Sequence, residues 1–207
     1  MNNHNNRVFL VDDDTDFRES MQWLLSSAGY EVISSSSATD FLEAYQGEQG
    51  CLLLDVRMPG INGLALQQIL HERNIQLPVI LISGHGDIPM AVNAIKAGAL
   101  DFIEKPFNDK HLLNLVSKAL NVAVERFEQF NAKQEVLHQY ETLSHREKEV
   151  MTLVVSGLAN REIAESLGIS PKTVEVHRAR VMSKMRASSL PELVNMNNKL
   201  TITEPMN

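Results

Sequence analysis

The sequence has very little cysteine and no long apolar run. Cys51 is the one cysteine among 207 residues, which excludes an internal disulfide, and its place in the apolar run 51–54 predicts a buried thiol. No stretch of eighteen apolar residues occurs, which excludes an ordinary transmembrane helix. Residues 1–6 lack the basic and apolar regions of a signal peptide. We therefore expect a cytoplasmic protein with no membrane partner.

Positive charge is also scarce, but it is unevenly distributed. The net charge is −7, which as an average argues against nucleic-acid binding. Residues 171–186 nevertheless hold five basic side chains against the single acidic residue Glu175, whereas several aspartates cluster between residues 12 and 16. A basic segment in an acidic chain predicts two halves with different partners.

The first 107 residues alternate short apolar runs with helical patterns. The runs predict strands at residues 8–11, 31–35, 52–54, 79–82 and 102–103. Short, mostly apolar strands are typical of a parallel sheet covered on both faces. Five β/α repeats therefore predict a doubly wound α/β domain with its site at the carboxyl ends of the strands. Asp87 is expected to cap the helix that begins near Ile88.

Beyond residue 107 the strand patterns stop and one long helical pattern follows, from 109 to about 140. Its apolar residues recur at spacings of four and three, as Val116, Leu120, Ala123, Phe127 and Phe130. The first turns are expected to pack on the sheet. Past about residue 123 so small a sheet offers no further surface, so two alternatives stay open there: the end of the last receiver helix, or a connector helix that can pair with its copy in a second chain.

Shorter helices are expected from residue 142 onward. Ser144 and Glu147 predict a capping box at the start of one helix, and Asn160 predicts the cap of a second that ends at Gly168.

Residues 170–171, a serine followed by proline, open a third helix, and residues 190–195 suggest a fourth. The pair of helices joined by residues 167–170 is typical of a helix-turn-helix. The polar segment 198–207 predicts a disordered tail.

Acidic and phosphate-binding side chains follow four of the predicted strands. They are Asp12 and Asp13 after the first, Asp55 after the third, Ser83 after the fourth and Lys105 after the fifth. Clustered carboxylates can hold Mg²⁺, a carboxylate can attack phosphorus to give an acyl phosphate, and a lysine and a hydroxyl can bind phosphoryl oxygens. Any one of these acids alone is more simply a solvated turn residue, but that alternative weakens when five suitable groups converge.

Four segments around these residues resemble a response-regulator receiver domain, most closely the FixJ subfamily, over about residues 6–122. They read Val-Asp-Asp-Asp at 11–14, Leu-Asp-Val-Arg-Met-Pro-Gly at 54–60, Ile-Ser-Gly-His-Gly-Asp at 82–87 and Asp-Phe-Ile-Glu-Lys-Pro-Phe at 101–107. The resemblance implies a flavodoxin-like fold with Asp55 as phosphoacceptor. It implies a Mg²⁺ site made by Asp12, Asp13, Asp55 and the backbone carbonyl of Arg57. It also implies that Ser83 and Lys105 bind the phosphoryl group, with the Lys105–Pro106 bond in the cis form.

The same resemblance implies a switch. Phosphoryl charge is expected to draw Ser83 inward, so that Phe102 turns into the vacated space and reshapes the face of the fourth helix and fifth strand, where FixJ-like receivers dimerise. Arg57 and His85 flank the pocket and are expected to tune the phosphoryl lifetime. A haloacid-dehalogenase phosphatase is excluded, because its second aspartate would stand at the position of Arg57.

Residues 143–196 resemble the LuxR-type helix-turn-helix of FixJ-like regulators. The segments on which this resemblance rests are Leu-Ser-His-Arg-Glu at 143–147, Gly-Leu-Ala-Asn-Arg-Glu-Ile-Ala at 157–164, Ile-Ser-Pro-Lys-Thr-Val at 169–174, Glu-Val-His-Arg at 175–178 and Lys-Met at 184–185. His145 departs from the family, which often has proline there. The predicted organisation is a receiver at 6–122, a helical linker at 123–141 and a DNA-binding domain at 142–197, with residues 189–196 resembling the helix through which such domains pair on DNA.

A projection at about 100° per residue assigns the faces of the recognition helix. Val174, Val181 and Met185 are expected to face the core, and the opposite face can enter the major groove. Candidates for phosphate contact are Lys172, Thr173, Arg180 and Lys184, and candidates for base contact are Glu175, Val176 and Ala179, with Ser183 on the same face. Glu175 can accept a hydrogen bond from a cytosine amino group, and His177 is expected to be packed or phosphate-bound.

These features predict a transcription activator that a partner sensor histidine kinase phosphorylates with the help of Mg²⁺. Phosphorylation would favour a homodimer that binds double-stranded DNA and recruits RNA polymerase. One alternative is an enzyme controlled by the receiver, but residues 143–196 offer no nucleophile–base pair or metal-ligand spacing, so a non-enzyme is expected. The other alternative is a DNA-binding regulator insensitive to phosphorylation.

Overall fold

The computed structural model describes residues 6–84 and 88–201, which form two compact units. The division falls between Glu128 and Gln129, inside one long helix and within the predicted linker. Each unit has an apolar core of its own. In this part of the chain, no helix is both long and apolar enough to cross a membrane.

The first unit alternates strands with helices, which confirms the predicted fold. Its strands are β1 (Arg7–Val11), β2 (Glu31–Ser35), β3 (Cys51–Asp55), β4 (Val79–Ser83) and β5 (Asp101–Glu104). Its helices are α1 (Thr15–Ser27), α2 (Ala38–Ala44), α3 (Gly63–Glu72), α4 (Ile88–Lys96) and the first part of α5 (Asp109–Glu141). Every predicted strand lies within an observed one. The predicted cap Asp87 lies outside the described residues.

The strands form one parallel sheet in the order β2-β1-β3-β4-β5. The central strands β3 and β4 are buried at every position, whereas the edge strand β2 has no buried residue. This difference explains why the central strands read as continuous apolar runs and β2 does not. The order reverses between β1 and β3, which makes the carboxyl ends of these two strands the place where a ligand can enter.

Side chains along each strand alternate between two apolar clusters, one on either face of the sheet. Phe9 and Val11 belong to the cluster covered by α2, α3 and α4, whereas Val8 and Leu10 belong to the cluster covered by α1 and α5. Cys51 lies in the second cluster and is fully buried, as predicted. Burial raises the pKa of its thiol to about 12, so the thiol stays protonated and unreactive.

The second unit is helical, with α6 (His145–Val155), α7 (Asn160–Leu167), α8 (Pro171–Lys184) and α9 (Leu190–Thr201) following the end of α5. The capping box of Ser144 and Glu147 is confirmed. Gly168 ends α7 in the left-handed conformation, with φ of 63°, a geometry that costs glycine little. Ser170 caps α8, as predicted, and accepts from the backbone N–H of Thr173.

Two details of this unit differ from the sequence prediction. The N-cap of α7 is Ala159, not Asn160, because the carboxylate of Glu162 accepts from the Ala159 backbone N–H at 2.7 Å. The amide of Asn160 is thereby free for α8, and its Oδ1 accepts from Arg178 at 3.0 Å. Helix α9 also continues through residues 198–201 of the predicted tail, since Leu200 packs on the core of this unit.

A buried ion pair ties α6 to α8. Glu147 is buried, and its Oε2 accepts from Lys184 Nζ at 2.7 Å and from the Ser144 backbone N–H at 2.8 Å. Lys184 also donates to the carbonyl oxygen of Thr142 at 3.0 Å. The hydrogen bond from Lys184, followed by that from Ser144, lowers the pKa of Glu147 from 4.5 to about 2. The charged carboxylate therefore stabilises the folded unit above about pH 5, and this contribution disappears as the pH falls towards 2.

We predict that the E147Q substitution removes this acid sensitivity from the second unit. Between pH 7 and pH 3 the wild-type carboxylate should contribute roughly 2 kcal/mol less to the free energy of unfolding, and the amide should contribute no such change. The measurement is a urea titration at each pH, followed through the backbone NMR signals of α6 and α8. E149Q is the matched control, because Glu149 forms only a partly exposed pair with Arg146. Equal acid sensitivity in E147Q and wild type would contradict the prediction.

Candidate functional site

Two aspartates meet at the edge of the sheet where the strand order reverses. Val11 of β1 pairs with Leu54 of β3, so the next residues along the two strands, Asp12 and Asp55, lie side by side. Both are buried, with 1% and 7% of their surfaces exposed. Burying two carboxylates this deeply is unfavourable unless charge or hydrogen bonds compensate.

Lys105 supplies that compensation. Its Nζ donates to Asp12 Oδ2 at 2.7 Å and to Asp55 Oδ1 at 2.9 Å, and it follows directly on β5. The other oxygen of Asp55 accepts from the Arg57 backbone N–H at 2.7 Å, and Asp12 Oδ1 accepts from the Asp14 backbone N–H at 2.9 Å. The Lys105–Pro106 peptide bond is cis, as predicted. The pocket therefore joins groups from three strands.

The pocket carries an excess of negative charge. Burial, together with the neighbouring charge of Asp55, raises the pKa of Asp12 despite the opposing hydrogen bonds from Lys105 and Asp14. Burial alone would lower the pKa of Lys105, but its hydrogen bonds to the two carboxylates outweigh burial and raise it. Desolvation thus disfavours the charged form of Asp12, whereas the two carboxylates stabilise the charged form of Lys105. A hard, oxygen-seeking cation such as Mg²⁺ fits this donor set.

The remaining predicted pocket residues are more dispersed. Ser83 is fully buried at the end of β4, and Phe102 is partly buried against the cluster below α4. Asp13 is exposed. Within residues 6–84 and 88–201, no three His, Cys, Asp or Glu side chains are grouped as metal ligands. The Lys105 ammonium contacts both buried carboxylates. His85 lies outside the described residues.

Three residues support the pocket in ways that the sequence analysis missed. Asp14 is the N-cap of α1, and its carboxylate accepts from the backbone N–H groups of Asp16 and Phe17. Arg18 donates to the carbonyl oxygen of Asp12 at 2.7 Å. Gly63 begins α3 against the Asp55 carbonyl, where any Cβ would clash with backbone. The preference of aspartate for N-caps was the available signal for Asp14.

The recognition helix α8 presents the predicted faces. Val174, Val181 and Met185 are buried in the core of the second unit. The exposed residues include the predicted DNA contacts, which are Lys172, Thr173, Glu175, Val176, Ala179, Arg180, Ser183 and Lys184. His177 is half-buried, and its Nδ1 is buried without a hydrogen-bond partner in the described part of the chain.

Most basic side chains in and just after α8 already have a partner within the protein. Lys172 pairs with Glu175 at 2.8 Å, Arg178 donates to Asn160 at 3.0 Å, Lys184 pairs with Glu147 at 2.7 Å and Arg186 pairs with Glu135 at 3.3 Å. Among the lysines and arginines of α8, Arg180 alone has no ion pair or side-chain hydrogen bond to a described residue. The assignment of Lys184 to a phosphate contact stays a prediction, and in the unbound protein its ammonium is held by Glu147 of α6.

Comparisons with known proteins identify the family of each unit. Residues 8–117 match the family described as "Response regulator receiver domain", and residues 141–197 match the family described as "Bacterial regulatory proteins, luxR family". The chain is 49% identical over 190 residues to the transcriptional regulatory protein FixJ of Azorhizobium caulinodans, covering 91% of this chain and 90% of that protein. It is 45% identical over 201 residues to the response regulator protein TmoT of Ectopseudomonas mendocina, covering 97% and 91%.

Solved structures show the same architecture. The response regulator StyR matches with a TM-score of 0.76 at 42% identity, covering 93% of this chain and 98% of that one. Full-length FixJ from B. japonicum matches with a TM-score of 0.56 at 38% identity, covering 96% and 98%. A parallel sheet with an acidic pocket, followed by a helix-turn-helix, defines the class of DNA-binding response regulators. The chain belongs to the FixJ family of two-component transcription regulators, with a receiver domain and a LuxR-type DNA-binding domain.

We predict that Arg180, but not Lys184, contributes free positive charge to DNA binding. R180Q should weaken binding and reduce the steepness of log K against log salt by roughly 0.9, the value for one lost phosphate contact. K184Q should leave this slope nearly unchanged and instead lower the stability of the second unit. The measurement is DNA binding by fluorescence anisotropy across a series of salt concentrations. A loss of slope in K184Q as large as in R180Q would contradict the prediction.

Proposed function

We propose that Asp55 accepts a phosphoryl group from the phosphohistidine of a partner sensor histidine kinase, in the cytoplasm. A carboxylate oxygen of Asp55 forms the new bond to phosphorus as the phosphorus–nitrogen bond breaks, and the departing imidazole takes a proton from solvent. The observation that carries this proposal is the pair of contacts from Lys105 to Asp12 and Asp55, at 2.7 and 2.9 Å. These contacts place a positive charge beside Asp55, where phosphoryl charge would arrive.

Receiver domains generally use Mg²⁺ in phosphorylation, and the donor set supports such a site in this chain. Asp12, Asp13, Asp55 and the backbone carbonyl of Arg57 are the residues that would hold the ion. Bound there, Mg²⁺ supplies positive charge that offsets the phosphoryl oxygens. Ser83 and Lys105 would bind the remaining phosphoryl oxygens, and Arg57 and His85 would influence how long the phosphoryl group survives.

The output is a change in the face formed by α4 and β5. Inward movement of Ser83 and rotation of Phe102 would alter this face and favour a homodimer. The apolar side chains of α4 support a pairing role, because Ile88, Val92 and Ile95 are 81%, 44% and 47% exposed. Phosphorylation need only favour the paired state by a few kcal/mol to change its population strongly.

The paired protein binds double-stranded DNA through α8 and recruits RNA polymerase to promoters. Lys172, Thr173 and Arg180 are the proposed phosphate contacts, with His177 at the margin. Glu175, Val176, Ala179 and Ser183 are the proposed residues of the base-facing surface. Two half-sites compensate for the small free charge of each helix. The role is regulatory rather than enzymatic, in line with the relatives.

We predict that D55N abolishes the response to phosphorylation. With a small-molecule phosphoryl donor and Mg²⁺, wild-type protein should gain dimer and at least roughly ten-fold in operator affinity, whereas D55N should show neither change, because its amide cannot form the acyl phosphate. Analytical ultracentrifugation and DNA binding measure the two effects. E72Q is the control, since Glu72 is an exposed carboxylate at the last residue of α3, the end of that helix remote from the carboxyl ends of the strands. An unchanged response in D55N would instead favour the regulator insensitive to phosphorylation.

We also predict that Glu175 determines one base of the operator. Selection of binding sites from a random DNA pool by wild type should recover a cytosine at one position of each half-site, because the carboxylate accepts from the cytosine amino group. E175K should change the preference at that position only, with discrimination of about 1–3 kcal/mol. R180Q is the control, because loss of a phosphate contact should weaken binding to all sites equally. The same recovered sequences for wild type and E175K would refute this role.

A further inference from the structure

An aromatic ring lies against the pocket lysine. The Lys105 Nζ is 3.6 Å from the centroid of the Phe17 ring, within the distance at which a cation and a π-system attract. Phe107 packs edge-on against the same ring, with centroids 6.2 Å apart and planes at 87°. The ring of Phe17 is therefore held from one side by an aromatic neighbour while its face contacts the ammonium.

The segment that carries the first pocket aspartate also fixes this ring. The Asp14 backbone N–H donates to Asp12 Oδ1, and the Asp14 carboxylate accepts from the Phe17 backbone N–H at 3.1 Å. Asp12 and Phe17 are thus linked through one capped helix start. The position of the Phe17 ring is therefore fixed relative to the Asp12 carboxylate, which binds Lys105 together with Asp55.

The ammonium of Lys105 has three N–H groups. Two carboxylates and the Phe17 ring are the contacts that surround it, and its side chain is only partly exposed. A flexible lysine side chain loses considerable freedom when it is held in one place. The ring attracts the ammonium without competing for carboxylate oxygens, so it favours the bridging position over other positions of the side chain.

We propose that Phe17 is a positioning residue that holds the Lys105 ammonium at Asp12 and Asp55, an inference that rests on the proposed phosphorylation of Asp55. This positioning has opposite effects on Mg²⁺ affinity and on phosphorylation of Asp55. Lys105 and a divalent cation compete for the same carboxylates, so a lysine held by the ring opposes Mg²⁺ binding. The contact with Phe17 also keeps the ammonium beside Asp55, where its positive charge can bind the incoming phosphoryl oxygens.

The test compares F17L with wild type in the full chain. Leucine fills most of the space of the ring but has no π-face. F17L should bind Mg²⁺ roughly three-fold more tightly by calorimetry, and its phosphorylation by acetyl phosphate at saturating Mg²⁺ should be roughly three- to ten-fold slower. F17W should restore both values. The upfield ring-current shift expected for the Lys105 ε-protons in wild type without metal should also disappear in F17L.

F41L is the matched control, because Phe41 lies in the apolar cluster on the other face of the sheet and the same substitution there costs stability alone. If F17L changes the three readouts no more than F41L does, or if both Mg²⁺ affinity and rate fall together, the positioning role is refuted. If the proton shift and Mg²⁺ affinity change as expected but acetyl phosphate leaves wild-type Asp55 unmodified, the proposed phosphorylation fails and the hold of Phe17 on Lys105 stands.

Discussion

A single ammonium shared by two buried carboxylates is the interaction on which the receiver unit depends. Asp12 follows β1, Asp55 ends β3 and Lys105 follows β5, and each would be costly to bury without the others. The sheet order makes this contact possible, because β1 and β3 are neighbours although α1, β2 and α2 separate them in the chain. The charges that suit the pocket for phosphoryl chemistry are therefore also part of what holds the strand ends together.

The DNA-binding unit uses its charges in a similar way. The buried Glu147 of α6 forms an ion pair with Lys184, and the amide oxygen of Asn160 accepts a hydrogen bond from Arg178. Both basic residues lie on the recognition helix, so part of its formal positive charge orients the helix rather than attracting DNA. The number of basic residues in a helix consequently overstates its electrostatic attraction for phosphate, and the side chains without a protein partner are the better guide.

Periodic features of the sequence predicted the fold well. The apolar runs located all five strands, and the projection of α8 identified its core face, because both follow from the fixed repeat of a strand or helix. The pocket followed because parallel strands end at one edge. The partners of Asn160, Lys184 and Phe17 could not be predicted from the sequence. These side chains contact residues that are distant in the chain and become neighbours only in the tertiary fold. Lys184 and Glu147, for example, are 37 residues apart.

The hydrogen bonds of the sheet indicate how the pocket can act at a distance. The Lys105 backbone N–H donates to the Ser83 carbonyl at 2.8 Å, and the Val56 backbone N–H donates to the Ile82 carbonyl at 2.9 Å. The ends of β3, β4 and β5 are thus joined, so phosphoryl charge placed on Asp55 would act on Ser83 and Lys105 together. Ser83 is the last residue of β4, and Lys105 directly follows β5. Packed elements move between discrete arrangements rather than deform smoothly, so under the proposed phosphorylation a redistribution of charge around Lys105 would bias the face of α4 and β5 towards one such arrangement.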